Sequence, residues 1–263
     1  MKIHGTTKGG ALSTKDFGVA FSSGGGGATI PNTVDDLYLW YDFSGEYSTI
    51  TKDGSNRVSK ITNGQGATNL DMLQGTAGDQ PLWVSEDLND KDIVDFDDDR
   101  WLQTDDSKNN VPSVSQPTTY FFVIDVPAST GERWVWDRGS GWGSSGEGYA
   151  NSRQNCGKPS DTEWFTNGTN FTMADTGQWS YITTIFNGAS GLLRENGVAN
   201  SANPRDTGAR KISAGTIGAG SGTGTGLHNF WNEKIAEIIM YDRELSTAEI
   251  EGIELYLADK WGL

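Results

Sequence analysis

Cysteine and histidine are scarce in this sequence, and their scarcity excludes several kinds of site. Cys156 is the single cysteine among 263 residues, so no disulfide can form within the chain. It has neither a histidine nor a second cysteine near it in the sequence, and we expect an inert thiol. His4 and His228 are the two histidines, which argues against a histidine-rich zinc site or a histidine-based catalytic triad.

Basic charge and long apolar runs are also scarce. Lysine and arginine together number 20 against 35 aspartates and glutamates, a net charge of −15. This acidity repels nucleic-acid phosphates and anionic lipid headgroups, so we expect neither nucleic acid nor membrane as a partner. No stretch approaches the roughly 20 apolar residues that cross a bilayer. No apolar segment typical of a secretory signal follows Lys2, so we expect synthesis in a cytoplasm without such a signal.

Aromatic residues and glycines, by contrast, are plentiful. Ten Trp, ten Phe and eight Tyr supply material for a core, and 35 Gly supply turns. Short apolar or alternating segments predict strands, among them LYLWYDF (37–43), TTYFFVIDV (118–126), QWSYITTIFNG (178–188) and EKIAEIIMYDR (233–243). The near-continuous apolar run of residues 118–126 favours a central strand that is covered on both faces. Asn-Gly pairs recur between such segments, and the series is typical of an all-β sandwich.

The C-terminal segment is the one clear helix in the sequence. Ser246 with Glu249 three residues later forms a capping box, in which each side chain satisfies a free backbone donor. Ile250, Ile253 and the pair Tyr256–Leu257 then fall on one face at helical spacing. The pattern predicts a helix over residues 246–261 that packs on the sandwich.

The first residues differ from everything that follows them. Phe17, Val19 and Phe21 alternate in the way of a short strand, which is unstable alone and needs a sheet edge or groove to join. Residues 22–34 are rich in glycine and predict a flexible linker. We therefore divide the chain into an anchoring arm (1–21), a linker (22–34) and a sandwich domain (35–263).

Three strings carry a resemblance to a known family. They are LYLWYDFSGEYSTITKDGSNRVSKITNG, DIVDFDDDRWLQ and WNEKIAEIIMYDRELSTAEIEGIELYLADKWGL. Together they resemble the concanavalin A-like, laminin-G-like jelly-roll domains of bacteria and their phages. The resemblance covers roughly residues 35–263 and implies two packed antiparallel sheets with jelly-roll connections. With the helix and the N-terminal segment above, we expect an all-β jelly-roll sandwich with one C-terminal helix and an extended N-terminal arm. It does not imply one function, because this fold carries lectins, glycanases and scaffolds.

The arm carries a second resemblance. Its string GGALSTKDFGVAF is similar to a short N-terminal segment on structural proteins of some tailed phages. The resemblance implies an attachment peptide that lets different outer domains use one docking site.

Catalysis and metal binding are both weakly indicated. Glycanases of this fold use a Glu-x-Asp-x-x-Glu strand that supplies nucleophile and acid, and that spacing is absent from the sequence. The densest acidic run is Asp97, Asp98 and Asp99, for which a solvated turn is the leading interpretation. Calcium binding by these three aspartates and catalysis from the alternating Asp95, Asp97 and Asp99 are the alternatives. Calcium is the one cofactor that we keep as an alternative to none.

Sugar binding is the better-supported site chemistry. Carbohydrate sites pair an aromatic platform with planar polar groups, and the glycine-rich stretch 137–155 offers both. The candidates there are Trp142, Tyr149, Asn151 and Arg153. A protein interface and local packing are the alternatives for Trp142.

These observations favour a non-enzymatic virion protein of a phage, of the capsid-decoration or head-fibre kind. Residues 1–21 would bind capsid or tail proteins, and the sandwich would be displayed on the virion surface, where it could contact cell-surface or environmental glycans. The alternative is a tail-associated or secreted carbohydrate-binding adhesin. A polysaccharide-degrading enzyme ranks last, since the expected carboxylate spacing is missing.

Overall fold

A computed structural model of the chain describes residues 27–97, 99–104, 114–128, 131–137, 156–160, 163–166, 169–173, 177–208, 211–212, 215–221 and 227–263. The predicted anchoring arm, with Phe17, Val19 and Phe21, lies outside the described residues, as does the first part of the predicted linker. The described strands are, in chain order, β1 Leu37–Asp42, β2 Ile50–Lys52, β3 Val58–Ile61, β4 Met72–Leu73, β5 Leu82–Leu88, β6 Lys91–Asp95, β7 Leu102–Thr104, β8 Val114–Ser115, β9 Thr118–Asp125, β10 Arg133–Asp137, β11 Cys156–Ser160, β12 Glu163–Thr166, β13 Thr169–Thr172, β14 Trp179–Phe186, β15 Leu192–Glu195, β16 Val198–Ala199, β17 Lys211–Ile212, β18 Thr216–Ile217, β19 Gly220–Ser221, β20 Leu227–His228 and β21 Lys234–Tyr241. One helix, α1, spans Thr247–Trp261.

Two antiparallel sheets form the body of the protein. The eight-stranded sheet has the order β16-β15-β14-β9-β21-β6-β5, and β1 pairs with the same edge of β21 as β6 does. The nine-stranded sheet has the order β13-β12-β11-β10-β18-β7-β4-β3-β2. Two short ribbons, β8 with β17 and β19 with β20, complete the strand pairing that the structure describes. The predicted all-β sandwich with one C-terminal helix is confirmed.

The main core lies between the sheets. Alternate residues of β9 point into it, namely Tyr120, Phe122 and Ile124, and meet Trp136 and Trp164 from the facing sheet. Strand β9 is central, paired with β14 on one side and β21 on the other, and is buried from its first residue to its seventh. A residue in this position is covered on both faces, which is why residues 118–126 show a continuous apolar run rather than alternation.

A second core lies on the other face of the eight-stranded sheet. Phe121 and Val123 of β9 point to this side and pack beneath α1, which contributes Ile253, Leu257 and Trp261. The predicted capping box begins the helix: the Ser246 hydroxyl accepts from the backbone N–H of Glu249, whose carboxylate accepts from the backbone N–H of Ser246. The helix ends at Trp261 and is capped by Gly262, whose left-handed φ of 71° favours glycine.

Residues 29–34 of the predicted linker are bound to this helical side. The backbone N–H of Thr29 donates to the carbonyl of Gly252 at 2.9 Å, and the buried Tyr241 hydroxyl donates to the carbonyl of Pro31 at 2.8 Å. Gly252 has no side chain at the contact, and a Cβ there would come within 3.0 Å of the Thr29 Cβ and closer still to its Oγ1. Residues 29–34 therefore lie on the side of the domain on which α1 lies.

Candidate functional site

The outer face of the nine-stranded sheet is the candidate functional surface. Helix α1 covers the outer face of the eight-stranded sheet, and the structure describes no other α-helix in the residues that it covers. The side chains of residues that pair directly across adjacent strands point to the same face of the sheet. One such row consists of Leu102, Ile217, Trp136 and Cys156, which belong to the core. The neighbouring row of residues on these strands therefore points outward.

That outward row is largely polar. The registers place its members side by side on five adjacent strands, in the order Lys60, Leu73, Gln103, Thr216 and Asp137. Lys60, Leu73 and Gln103 are partly exposed, whereas Thr216 and Asp137 are buried. The row thus offers planar and charged hydrogen-bonding groups at its open end, which are the groups that bind sugar hydroxyls.

Two side chains of this row, those of Lys60 and Thr216, bear on what the surface could bind. The ammonium of Lys60 lies 2.7 Å from Oδ2 of the buried Asp71, so the lysine is held against the sheet. At the other end of the row, Oγ1 of Thr216 is buried and has no hydrogen-bond partner. An unpaired buried hydroxyl is a group that a water molecule or a ligand oxygen would satisfy.

The predicted glycan-binding residues Trp142, Tyr149, Asn151 and Arg153 lie outside the described residues. They belong to the segment that joins β10 to β11, which are neighbours in the nine-stranded sheet. That segment follows Asp137 directly in the chain.

The structure places two of the predicted calcium residues, Asp97 and Asp99, on an exposed turn between β6 and β7. Asp98 lies outside the described residues. Asp97 and Asp99 are exposed, and Asp99 exchanges hydrogen bonds with Asn232, whose side chain accepts at 3.2 Å from the Asp99 N–H and donates at 3.3 Å to its carboxylate. Among the residues that the structure covers, no group of three His, Cys, Asp or Glu side chains is arranged to hold a metal ion.

Near this turn, one carboxylate has a strongly altered affinity for protons. Partial burial and repulsion from Asp125, Asp97 and Asp95 raise the pKa of Glu233 to about 7. Lys234, which is paired with Asp87 at 2.8 Å, opposes this rise. The acidic surface at this end of the eight-stranded sheet therefore changes charge near neutral pH.

The largest concentration of buried charge lies elsewhere, beneath α1. Asp42 of β1 and Glu237 of β21 are direct cross-strand partners, and the Lys260 ammonium lies 2.8 Å from Asp42 Oδ1 and 3.1 Å from Glu237 Oε2. Glu237 reaches this side because β21 contains a bulge at Ala236, which puts two successive residues on one face. We name Asp42, Glu237 and Lys260 the ionic centre.

Hydrogen bonds satisfy both carboxylates of the ionic centre. Glu237 accepts from the indole N–H of Trp40 and that of Trp261, each at 2.6 Å, and from the Tyr256 hydroxyl at 3.1 Å. Burial raises the pKa of Glu237, and the Lys260 ammonium opposes that rise. Burial alone would lower the pKa of Lys260, but attraction to Glu237 and Asp42 outweighs it and the pKa is raised.

Sequence reasoning missed the ionic centre. Its signal was present, because two of the three strings that carry the family resemblance contain charged residues beside apolar ones: LWYDF in the first string, and IAEII and ADKWG in the third. A charge at such a position is costly to bury unless it is paired. The strings identified strands and a helix, but only the fold brings these three charges together.

Comparison with known proteins supports the fold and no family. No family model matches the sequence, and no curated protein does. Among solved structures, Trypanosoma rangeli sialidase in complex with the inhibitor DANA is 12% identical, with a TM-score of 0.52 over 87% of this chain and 35% of that chain. The same sialidase as a covalent intermediate with 2,3-difluorosialic acid is 11% identical, with a TM-score of 0.50 over 92% and 35%. Domain 4 of AbnA, an extracellular arabinanase from Geobacillus stearothermophilus, in complex with arabinotriose, is 13% identical, with a TM-score of 0.44 over 84% and 98%.

The chain thus spans about a third of the length of the sialidases that it matches. At these identities the likeness shows a shared β-sandwich fold and nothing more specific. None of the helices in the described residues is long and apolar enough to span a membrane.

Proposed function

We propose that this chain is a virion accessory protein that displays a glycan-binding β-sandwich on a phage particle, tethered through residues 1–21. One observation carries the proposal: residues 29–34, which follow the predicted tether in the sequence, and the open sheet face lie on opposite sides of the domain. Thr29 is bound to Gly252 of α1, outside the eight-stranded sheet, and the polar row of Lys60, Gln103 and Thr216 lies outside the nine-stranded sheet. A domain held by the chain before residue 29 presents its open face away from the anchor.

The strong negative charge suits display. A net charge of −15 keeps neighbouring domains apart and limits association with nucleic acid. Within the particle we favour the capsid surface, in the manner of a decoration protein or head fibre, because the sequence shows no heptads of a fibre stalk.

Deletion of residues 1–21 tests the anchor. Particles lacking this protein are mixed with the full chain or with the shortened chain 22–263 and then sedimented. We expect the shortened chain to remain folded, because both cores and the Thr29–Gly252 contact lie outside the deletion, and to stay in the supernatant. Replacement of Phe17, Val19 and Phe21 by serine should have the same effect. Co-sedimentation of chain 22–263 with particles would refute anchoring by the arm.

A glycan array tests whether the sandwich domain binds glycans. We expect the full chain to bind a subset of glycans and binding to fall at least tenfold in Gln103→Ala or Trp142→Ala. Glu251→Gln, on the exposed side of α1, is the matched control and should bind like the parent. Loss in Gln103→Ala alone would place binding on the sheet face and exclude the 138–155 segment. Absence of binding to every glycan would reduce the domain to a scaffold.

An enzyme that degrades polysaccharides is the remaining alternative. The likeness to sialidase covers a third of that chain and does not assign an activity here. Release of reducing sugar from any tested polysaccharide, and its loss in a carboxylate variant, would favour the enzyme over the binding domain.

A further inference from the structure

The ionic centre places an amine against two carboxylates in a dry site. Lys260 Nζ lies 2.8 Å from Asp42 Oδ1 and 3.1 Å from Glu237 Oε2. The exposed fraction of the side chain is 5% for Lys260 and 0% for Asp42 and Glu237. Aromatic rings surround the ammonium, with centroids at 4.9 Å for Trp261, 5.3 Å for Tyr47 and 5.5 Å for Tyr256.

An amine and a carboxyl group condense to an amide when they are held in contact and water is kept away. Fixed contact replaces a bimolecular encounter and corresponds to a very high effective concentration of the amine. Exclusion of water removes the competing hydration of both charged groups. Asp42 and Lys260 meet both conditions, since Asp42 is fixed on β1 by its pairing with β21, and Lys260 lies on the last turn of α1.

The two oxygens of Asp42 have different partners, as the reaction requires. The backbone N–H of Tyr47 donates to Oδ2 at 2.9 Å, and this donor would stabilise negative charge on Oδ2 when the carbonyl carbon is attacked. Oδ1 accepts from the Ser44 hydroxyl at 2.7 Å and from the Ser44 backbone N–H at 3.0 Å, and it contacts Lys260 Nζ. Oδ1 is therefore the oxygen that is placed to take up protons and leave.

The reaction also needs a proton carrier, because attraction to both carboxylates holds Lys260 as an ammonium, which is not a nucleophile. Glu237 Oε2 is within hydrogen-bond reach of Nζ. Burial raises the pKa of Glu237, and a carboxylate with a raised pKa is a stronger proton acceptor. Glu237 is also held in place by both indole donors, so its position does not depend on Lys260.

We propose that Lys260 and Asp42 form an intramolecular isopeptide bond, with Glu237 as the proton carrier. The Lys260 nitrogen forms a bond to Cγ of Asp42, and the bond from Cγ to Oδ1 breaks. The ammonium loses two protons, Oδ1 receives both and leaves as water, and Glu237 relays them and ends unchanged. No oxidant, reductant or further reactant enters the step.

The bond would join the first strand of the sandwich to the last turn of its helix. Between Asp42 and Lys260 lies nearly the whole domain, so a covalent link would close the sandwich and prevent α1 from leaving the sheet. Such a closure suits a domain that is exposed outside a cell without disulfides, which the single cysteine excludes.

Mass spectrometry of the denatured full chain tests the proposal. We expect the protein to be lighter than its sequence by about 18 Da, the mass of one water. Digestion should yield one branched peptide that joins the segment containing Asp42 to the segment containing Lys260, and trypsin should fail to cut after Lys260. A mass equal to that of the sequence, with a linear peptide that ends at a free Lys260, would overturn the proposal.

Two variants identify the groups involved. Lys260→Arg keeps a cation in the site but lacks the amine, and it should have the full sequence mass. Glu237→Gln keeps the size of the side chain and one of the two oxygens that accept from the indoles, but it cannot relay protons. The folded variant should show the full mass as well. Bond formation at the parent rate in Glu237→Gln would refute the role of Glu237. Circular dichroism confirms that each variant is folded before its mass is interpreted.

Discussion

Asp42 and Glu237 lie directly opposite each other on neighbouring antiparallel strands, and the ammonium of Lys260 lies between their carboxylates. Like charges in directly opposed positions destabilise a sheet. Here the repulsion is compensated by one lysine from α1, by two indole donors and by the donors of the turn after β1. The position of the helix is therefore set by charge as well as by apolar packing.

Removal of the lysine should be costly. We expect Lys260→Met to have a free energy of unfolding about 3–5 kcal/mol below that of Lys260→Arg, because neither variant can form the amide and Lys260→Met also leaves two buried carboxylates without their counter-ion. Denaturant titration measures the difference. Asp259→Asn, at the exposed neighbouring position, is the control and should change the stability of the parent by no more than about 0.5 kcal/mol. Equal stability of Lys260→Met and Lys260→Arg would mean that the carboxylates do not need the cation.

A side chain at Gly252 should release the linker. We expect Gly252→Ala to displace Thr29 and to increase hydrogen exchange at residues 29–34, because the new Cβ needs the space that Thr29 fills. The sandwich itself should stay folded. Thr29→Gly in the same chain should restore room for the methyl group and allow the segment to dock again. Unchanged exchange in Gly252→Ala would show that the contact does not fix the linker.

Stability should depend on Glu233 near neutral pH. Its pKa is raised from 4.5 to about 7, so the folded protein holds this proton more tightly than the unfolded chain does. Stability must then fall as pH rises from 4.5 to about 7 and stay lower above that range. We expect Glu233→Gln to remove this part of the decline in melting temperature. Glu251→Gln, on the exposed face of α1, should leave the decline unchanged, and an unchanged decline in Glu233→Gln would contradict the assignment.

The N-terminal cap of α1 should contribute a measurable share of stability. We expect Ser246→Ala to cost about 1 kcal/mol, because the backbone N–H of Glu249 loses its acceptor. Ser246→Thr keeps a hydroxyl at the cap and should recover most of this loss in thermal unfolding. A neutral Ser246→Ala would indicate that Arg243, 2.7 Å from the Glu249 carboxylate, holds the helix start by itself.

Most of the strands and the helix were predictable from the sequence, because each depends on its own local pattern. The apolar runs of β9 and β21 and the aromatic and β-branched residues of β14 are visible within a few residues each. Strand β13 was not predictable in this way, because its pairing with β12 and not its own composition makes it a strand. The same holds for strand β5, which has three exposed residues among its seven and pairs with β6.

The sequence by itself determined an acidic all-β sandwich with a capped helix, since periodicity, turn residues and the Ser246–Glu249 pair act over short distances. Tertiary structure alone decided which faces are open and which charges meet. The bulge at Ala236 turns Glu237 towards α1, and Asp42 and Lys260 arrive there from opposite ends of the domain. Their association depends on the exclusion of water by two packed layers, and no local pattern of residues can specify that.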